Sequence, residues 1–127
     1  MITTKYWLPK NRFYELKHFC LQYPEWKSFL NKVKANVGKD IIHSEGQNYP
    51  GRPTEMLGIA LGDISVKVSM MEEAAKETDS ELWSYILRAV GYGDSYGRLK
   101  DIYHIPCSRE RFNNLYRKFF WLLDKSQ

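Results

Sequence analysis

Sulfur and imidazole are scarce in this chain: two cysteines, Cys20 and Cys107, and three histidines, His18, His43 and His104, in 127 residues. Neither cysteine belongs to a CxxC pair, and no Cys/His group has the spacing of a zinc site. A sequence-local zinc site is thereby excluded, and a Cys20–Cys107 disulfide, though possible geometrically, comes with no secretion signal. There is no HExxH, no glycine-rich phosphate loop and no dinucleotide fingerprint. His18 shares a helix with Glu15 and reads as a surface residue, His43 falls in a linker, and His104 falls in a turn. Glu72, Glu73 and Glu77 read as a solvated helix face, not as acid/base pairs. The expectation is a protein that is not an enzyme and uses no cofactor or metal.

Long apolar runs are missing too. None approaches the roughly 20 residues that span a bilayer, and Met1-Ile2-Thr3-Thr4-Lys5 is not a charged-then-apolar leader. The expected setting is a reducing cytoplasm, with two free thiols and no membrane contact. No segment alternates in the manner of a strand, and there is no internal repeat or low-complexity tract.

What is present is ordinary globular material. Hydrophobic residues make up 43% and charged residues 27%, which excludes wholesale disorder. The net charge of +4 is unevenly placed. Residues 1–50 carry eight Lys/Arg against four Asp/Glu, residues 51–79 three against six, and residues 80–127 eight against five. Two basic ends flank an acidic middle, a balance that permits a polyanionic partner.

Apolar periodicity predicts helices throughout. Phe13, Leu16, Cys20 and Tyr23 mark one face of a helix over 9–23. Pro24 stops it and suits the first turn of the next, whose apolar face is Trp26, Phe29, Leu30, Val33 and Val37. Gly38 ends that helix. The short break predicts a helical hairpin over 1–38. Residues 39–52 are rich in turn formers and read as a linker.

A long helix is expected over 53–79, opened by Pro53-Thr54-Glu55. Leu57, Leu61, Ile64, Val68, Met71 and Ala75 fall at alternating spacings of four and three, the seam of a coiled coil. Either this stripe faces the protein's own core or it pairs with a second copy. Gly58 and Gly62 would let another helix approach closely.

Residues 80–127 form a helix-turn-helix-like unit. Asp79 or Ser80 caps a helix carrying Leu82, Trp83, Ile86, Leu87, Ala89 and Val90, which Gly91-Tyr92-Gly93 ends. Asp94 or Ser95 caps a short helix with Tyr96, Leu99, Ile102 and Tyr103. After a turn at His104-Ile105-Pro106-Cys107, Ser108 caps the last helix. Its apolar stripe is Phe112, Leu115, Tyr116, Phe119, Leu122 and Leu123. Arg109, Glu110, Asn113, Asn114 and Arg117 are expected on the opposite side. Arginine can pair with guanine and asparagine with adenine. Ser108 and the first amides suit a phosphate, and Arg98, Lys100 and Lys118 suit its neighbours; Arg111 is a further DNA-binding candidate. Trp121 lies off the main stripe and is expected to pack on the N-terminal hairpin.

The Asp94-Ser95-Tyr96-Gly97-Arg98-Leu99 segment resembles the bracing first helix of sigma-factor-like DNA readers. More broadly, the chain resembles the RinA/ArpU-type transcriptional regulators of phages and prophages of Gram-positive bacteria. The likeness rests on Pro53-Thr54-Glu55, Met71-Glu72-Glu73-Ala74-Ala75, and Ser108-Arg109 leading to Tyr116-Arg117-Lys118-Phe119-Phe120. Tyr6-Trp7-Leu8-Pro9 and Phe19-Cys20-Leu21-Gln22-Tyr23-Pro24-Glu25-Trp26 resemble uncharacterised prophage proteins. The turn Ile105-Pro106-Cys107-Ser108 departs from the family in being longer than the tight sigma-like turn. The resemblance implies an all-α, sequence-specific binder of double-stranded DNA in a bacterial host cell. Host RNA polymerase is a further candidate partner and a homodimer a candidate assembly. The alternative is a small phage-encoded helical protein that binds and inhibits a host protein.

Overall fold

The computed structural model describes residues 5–35 and 54–127, with side chains for 5–34 and 61–127. Every regular element among them is a helix: α1 Lys10–Cys20, α2 Tyr23–Ala35, α3 Thr54–Thr78, α4 Trp83–Tyr92, α5 Tyr96–Tyr103 and α6 Arg109–Ser126. The expected all-α class, with two helices before the linker and four after it, is what the described residues form. The linker over 39–52 lies outside them, as does the side chain of Leu57. No helix among the described residues is long and apolar enough to cross a membrane.

Contacts divide the chain into two units, one of residues 1–24 with 70–127 and one of residues 25–69. Both boundaries fall inside helices, α2 and α3, and not at the turn-rich stretches that mark boundaries in the sequence. A helix that is continuous in hydrogen bonding can still bury its two ends against different neighbours.

The larger unit holds most of the core. In it α4 packs against α1, α5 and α6, and α1 packs against α6. Leu16 and Cys20 of α1, Ile86 and Val90 of α4, Leu99 of α5, and Phe119, Phe120 and Leu123 of α6 are all buried. Met71 and Ala75 bring the last turns of α3 into this unit at zero exposure. Helix α1 is four residues shorter than the expected 9–23, one at its start and three at its end. Pro9 precedes it in extended backbone, and it ends at Cys20, short of Pro24. Gly91 sits on α4 where a Cβ would come within 2.9 Å of the Tyr23 ring. The Tyr23 hydroxyl donates to Glu72 at 2.7 Å, fixing that ring. In the smaller unit Trp26 and Val68 are buried, and the Lys67 ammonium lies 5.5 Å from the Trp26 ring centre.

The α3 seam is graded. Val68, Met71 and Ala75 are buried, while Leu61 and Ile64 are half-buried. A Cβ at Gly62 would meet nothing within 4 Å, so no described segment uses the room that glycine leaves.

Candidate nucleic-acid interface

Neither Asp79 nor Ser80 caps α4, which follows Leu82 with no side-chain cap; an aspartate turn and two serine caps set the phases of the last helices. Asp79 accepts the Glu81 and Leu82 amides, both at 2.8 Å, and so folds the turn that leads into α4. Burial alone would push its carboxyl up, but those two amides and the Arg111 guanidinium outweigh burial and hold it below its ordinary value. Ser95 accepts the Arg98 amide at the start of α5, and Ser108 accepts the Arg111 amide at the start of α6. The opposite ends are closed by left-handed residues. Gly93 has φ 75° after α4, and His104 has φ 57° after α5. A non-glycine in that region is uncommon. Here the Ile105 amide bonds the Leu99 carbonyl at 3.1 Å while the Ile105 side chain is fully buried, which offsets the strain at His104.

Tyr96 joins the short helix to the long one. Its hydroxyl donates to the Cys107 carbonyl at 2.6 Å, so the first residue of α5 ties down the turn before α6. Its ring lies 5.6 Å from that of Phe112, and the Arg109 guanidinium sits 4.9 Å above it. The longer turn is therefore a fixed one. Arg88 does similar work between α4 and α5: it bonds Asp94 at 2.7 Å and lies between the Tyr92 and Tyr103 rings.

The cations and amides singled out from the sequence fall into three groups. Arg98, Arg109 and Arg111 are exposed but engaged. Arg98 pairs with Asp94 at 3.2 Å, Arg111 with Asp79 at 2.9 Å, and Arg109 stacks on Tyr96. Asn113 is exposed, yet it lines the flank of α6 nearest α1 and borders two cavities. Asn114, Arg117, Lys118 and Lys100 form the third group. Asn114, Arg117 and Lys100 are exposed and Lys118 is half-buried. None of the three cations has a carboxylate within ion-pair distance among the described residues.

The face expected opposite the apolar stripe is thus split. A 100° step per residue places Glu110, Asn114 and Arg117 together, whereas Arg109 and Asn113 fall toward Tyr116 and Phe120. Ser108 spends its acceptor on the helix's own amide, leaving the hydroxyl proton and the Arg109 and Glu110 amides at the helix start. Trp121 packs edge-on to Tyr6 at 5.3 Å, with the Lys125 ammonium 4.2 Å from its ring centre. Its partner therefore precedes α1.

Among the described residues no group of three His, Cys, Asp or Glu is placed to hold a metal ion. Both thiols are free: Cys20 is buried, and burial pushes its proton affinity up. His18 and His104 are exposed.

An aromatic cavity that no sequence motif marks lies beside this helix. It has a volume of about 410 Å³ and lies between α1, the segment before it and α6. The Tyr6-Trp7-Leu8 run and Tyr14 were the available signal. They did not fit the core period, and only packing brings them beside Tyr116 and Arg117.

No protein family, no curated protein and no solved structure matches this chain.

Proposed function

We propose that the chain is a DNA-binding regulator that presents the outer side of α6 to double-stranded DNA, α5 serving as its brace. One observation carries the reading: Asn114 and Arg117 stand exposed on a helix whose inner residues Phe119, Phe120 and Leu123 have no exposure. Their neighbour Lys118, and Lys100 on α5, are cations without a carboxylate partner among the described residues. Asn114 and Arg117 are the base-reading pair, matched to adenine and guanine edges in the major groove. Lys118 and Lys100 are the phosphate contacts. The resemblance to RinA/ArpU-type phage regulators supports the same reading, with host RNA polymerase as a further partner. A homodimer through Leu61 and Ile64 of α3 would imply a two-fold related DNA site.

The test is selection of binding sites from random duplexes, followed by anisotropy titrations at several salt concentrations. Asn114→Ala or Arg117→Ala should cost about 1–3 kcal/mol and relax one position of the selected site. Lys118→Ala or Lys100→Ala should weaken all duplexes alike and lower the salt slope by about one. A chain that selects no sequence and binds no duplex at low salt refutes the reading. Inhibition of a host protein then takes its place.

A further inference from the structure

The cavity beside α6 is walled by rings and rimmed by cations. Phe13, Tyr116 and Phe120 form its floor in mutual contact, with ring centres 5.0–6.4 Å apart. Trp7, 65% exposed, and Tyr14, 43% exposed, stand at its edges. Lys10, Arg117 and Asn113 also line it, together with Tyr6 and Leu8, and no carboxylate takes part. The Lys17 ammonium lies 5.9 Å from the Tyr14 ring centre. Lys10, Lys17 and Arg117 have no carboxylate at ion-pair distance among the described residues.

Exposed rings lose water when a flat apolar group covers them, and cations at the rim call for an anionic occupant. A nucleotide has both parts. Its base stacks on any aromatic face, its edge meets an amide such as that of Asn113, and its phosphate meets a lysine or arginine. A helical peptide fits less well, since it needs a groove several turns long to seat anchors at i, i+4 and i+7. The volume here is of small-molecule size. Lys10 and Lys17 are seven residues apart on α1, about 10 Å along its axis, too far to share one phosphate. Lys17 lines the neighbouring cavity and not this one, so the two cations suit separate phosphates of a strand that runs past both.

We infer that this groove binds single-stranded nucleic acid, holding one unpaired base between Trp7 and Tyr14 with flanking phosphates on Lys10 and Arg117. The site adjoins the duplex-reading side of α6 and shares Arg117 with it. It stands on the ring and charge placement and does not depend on that reading. Arg117 borders both surfaces, so the discriminating variants are at Trp7 and Tyr14, which are exposed and absent from the duplex face.

Anisotropy of a labelled dT12 oligonucleotide measures strand binding by the full chain, with dTMP as the competitor and circular dichroism as the check on folding. Trp7→Ala and Tyr14→Ala should each weaken dT12 binding by at least about fivefold, while duplex affinity stays at the parent's value. Added salt should weaken dT12 binding, with a slope of about −0.7 for each phosphate neutralised. Three results overturn the inference: no dT12 binding at low salt, parental dT12 affinity in both folded variants, or dTMP displacing dT12 at equal concentration. Failure of Asn114→Ala to affect duplex binding bears on the duplex reading alone.

Discussion

Replacing Tyr96 tests whether α5 braces α6. Tyr96→Phe removes only the hydroxyl, and with it the 2.6 Å bond to the Cys107 carbonyl. A single hydrogen bond contributes about 0.5–1.5 kcal/mol net, toward the lower end where water can reach the freed carbonyl. Cys107 is half-buried, so the expected loss is about 1 kcal/mol or less. Tyr96→Ala also removes the ring at 5.6 Å from Phe112 and the surface beneath Arg109. The ring pair contributes about 0.5–1.5 kcal/mol beyond area, and an exposed cation over a ring about 0.5–1 kcal/mol. With the lost burial, the expected cost of Tyr96→Ala is about 2–4 kcal/mol. For a chain of this size each kcal/mol lowers the melting temperature by about 3–5 °C. Calorimetry of parent and both variants checks the order. Duplex titration checks the consequence, since a loosened turn should weaken binding more in Tyr96→Ala than in Tyr96→Phe. The reasoning fails if the two variants melt within a degree of each other. The ring would then contribute nothing, and Leu99 and Ile105 alone would hold the two helices.

Gly91→Ala should destabilise by about 1–3 kcal/mol despite alanine's better helix propensity, because the new methyl meets a Tyr23 ring fixed by Glu72; urea unfolding measures this, and a more stable variant would refute the tight fit. Asp79 titrates below its ordinary value in the folded chain. Its stabilising contribution is thus present above the unfolded pKa and lost as pH falls through the folded one. Melting temperatures of Asp79→Asn should accordingly fall less steeply than the parent's below about pH 4. Cys20 has no exposure and burial raises its thiol's proton affinity, whereas Cys107 is half-buried. Ellman's reagent at pH 8 should therefore label one thiol slowly in the folded chain and both at once in guanidinium. Rapid labelling of two thiols without denaturant would contradict the packing of α1 on α6.

Much of the fold was legible in the residues alone. The spacing of Leu16 and Cys20, and of Phe112, Phe119 and Leu123, specifies helices with one buried side, because a 3.6-residue period puts those positions on one face whatever the helix packs against. Ser95 and Ser108 identify their helix starts, since a serine hydroxyl that accepts a first-turn amide acts through local geometry. The left-handed Gly93 is equally local. Tertiary structure decided the rest. Periodicity says that α6 has two sides but not where its flanks lie. Neighbours decided that Asn113 borders cavities while Asn114 faces outward. Charge in a sequence has no partners, so Arg98 and Arg111 read like Arg117 until Asp94 and Asp79 fold against them. Tyr6, Trp7 and Tyr14 obey no helical stripe. They form a groove with Tyr116 and Arg117 because α1 packs on α6, a contact between residues about a hundred positions apart that no local pattern encodes.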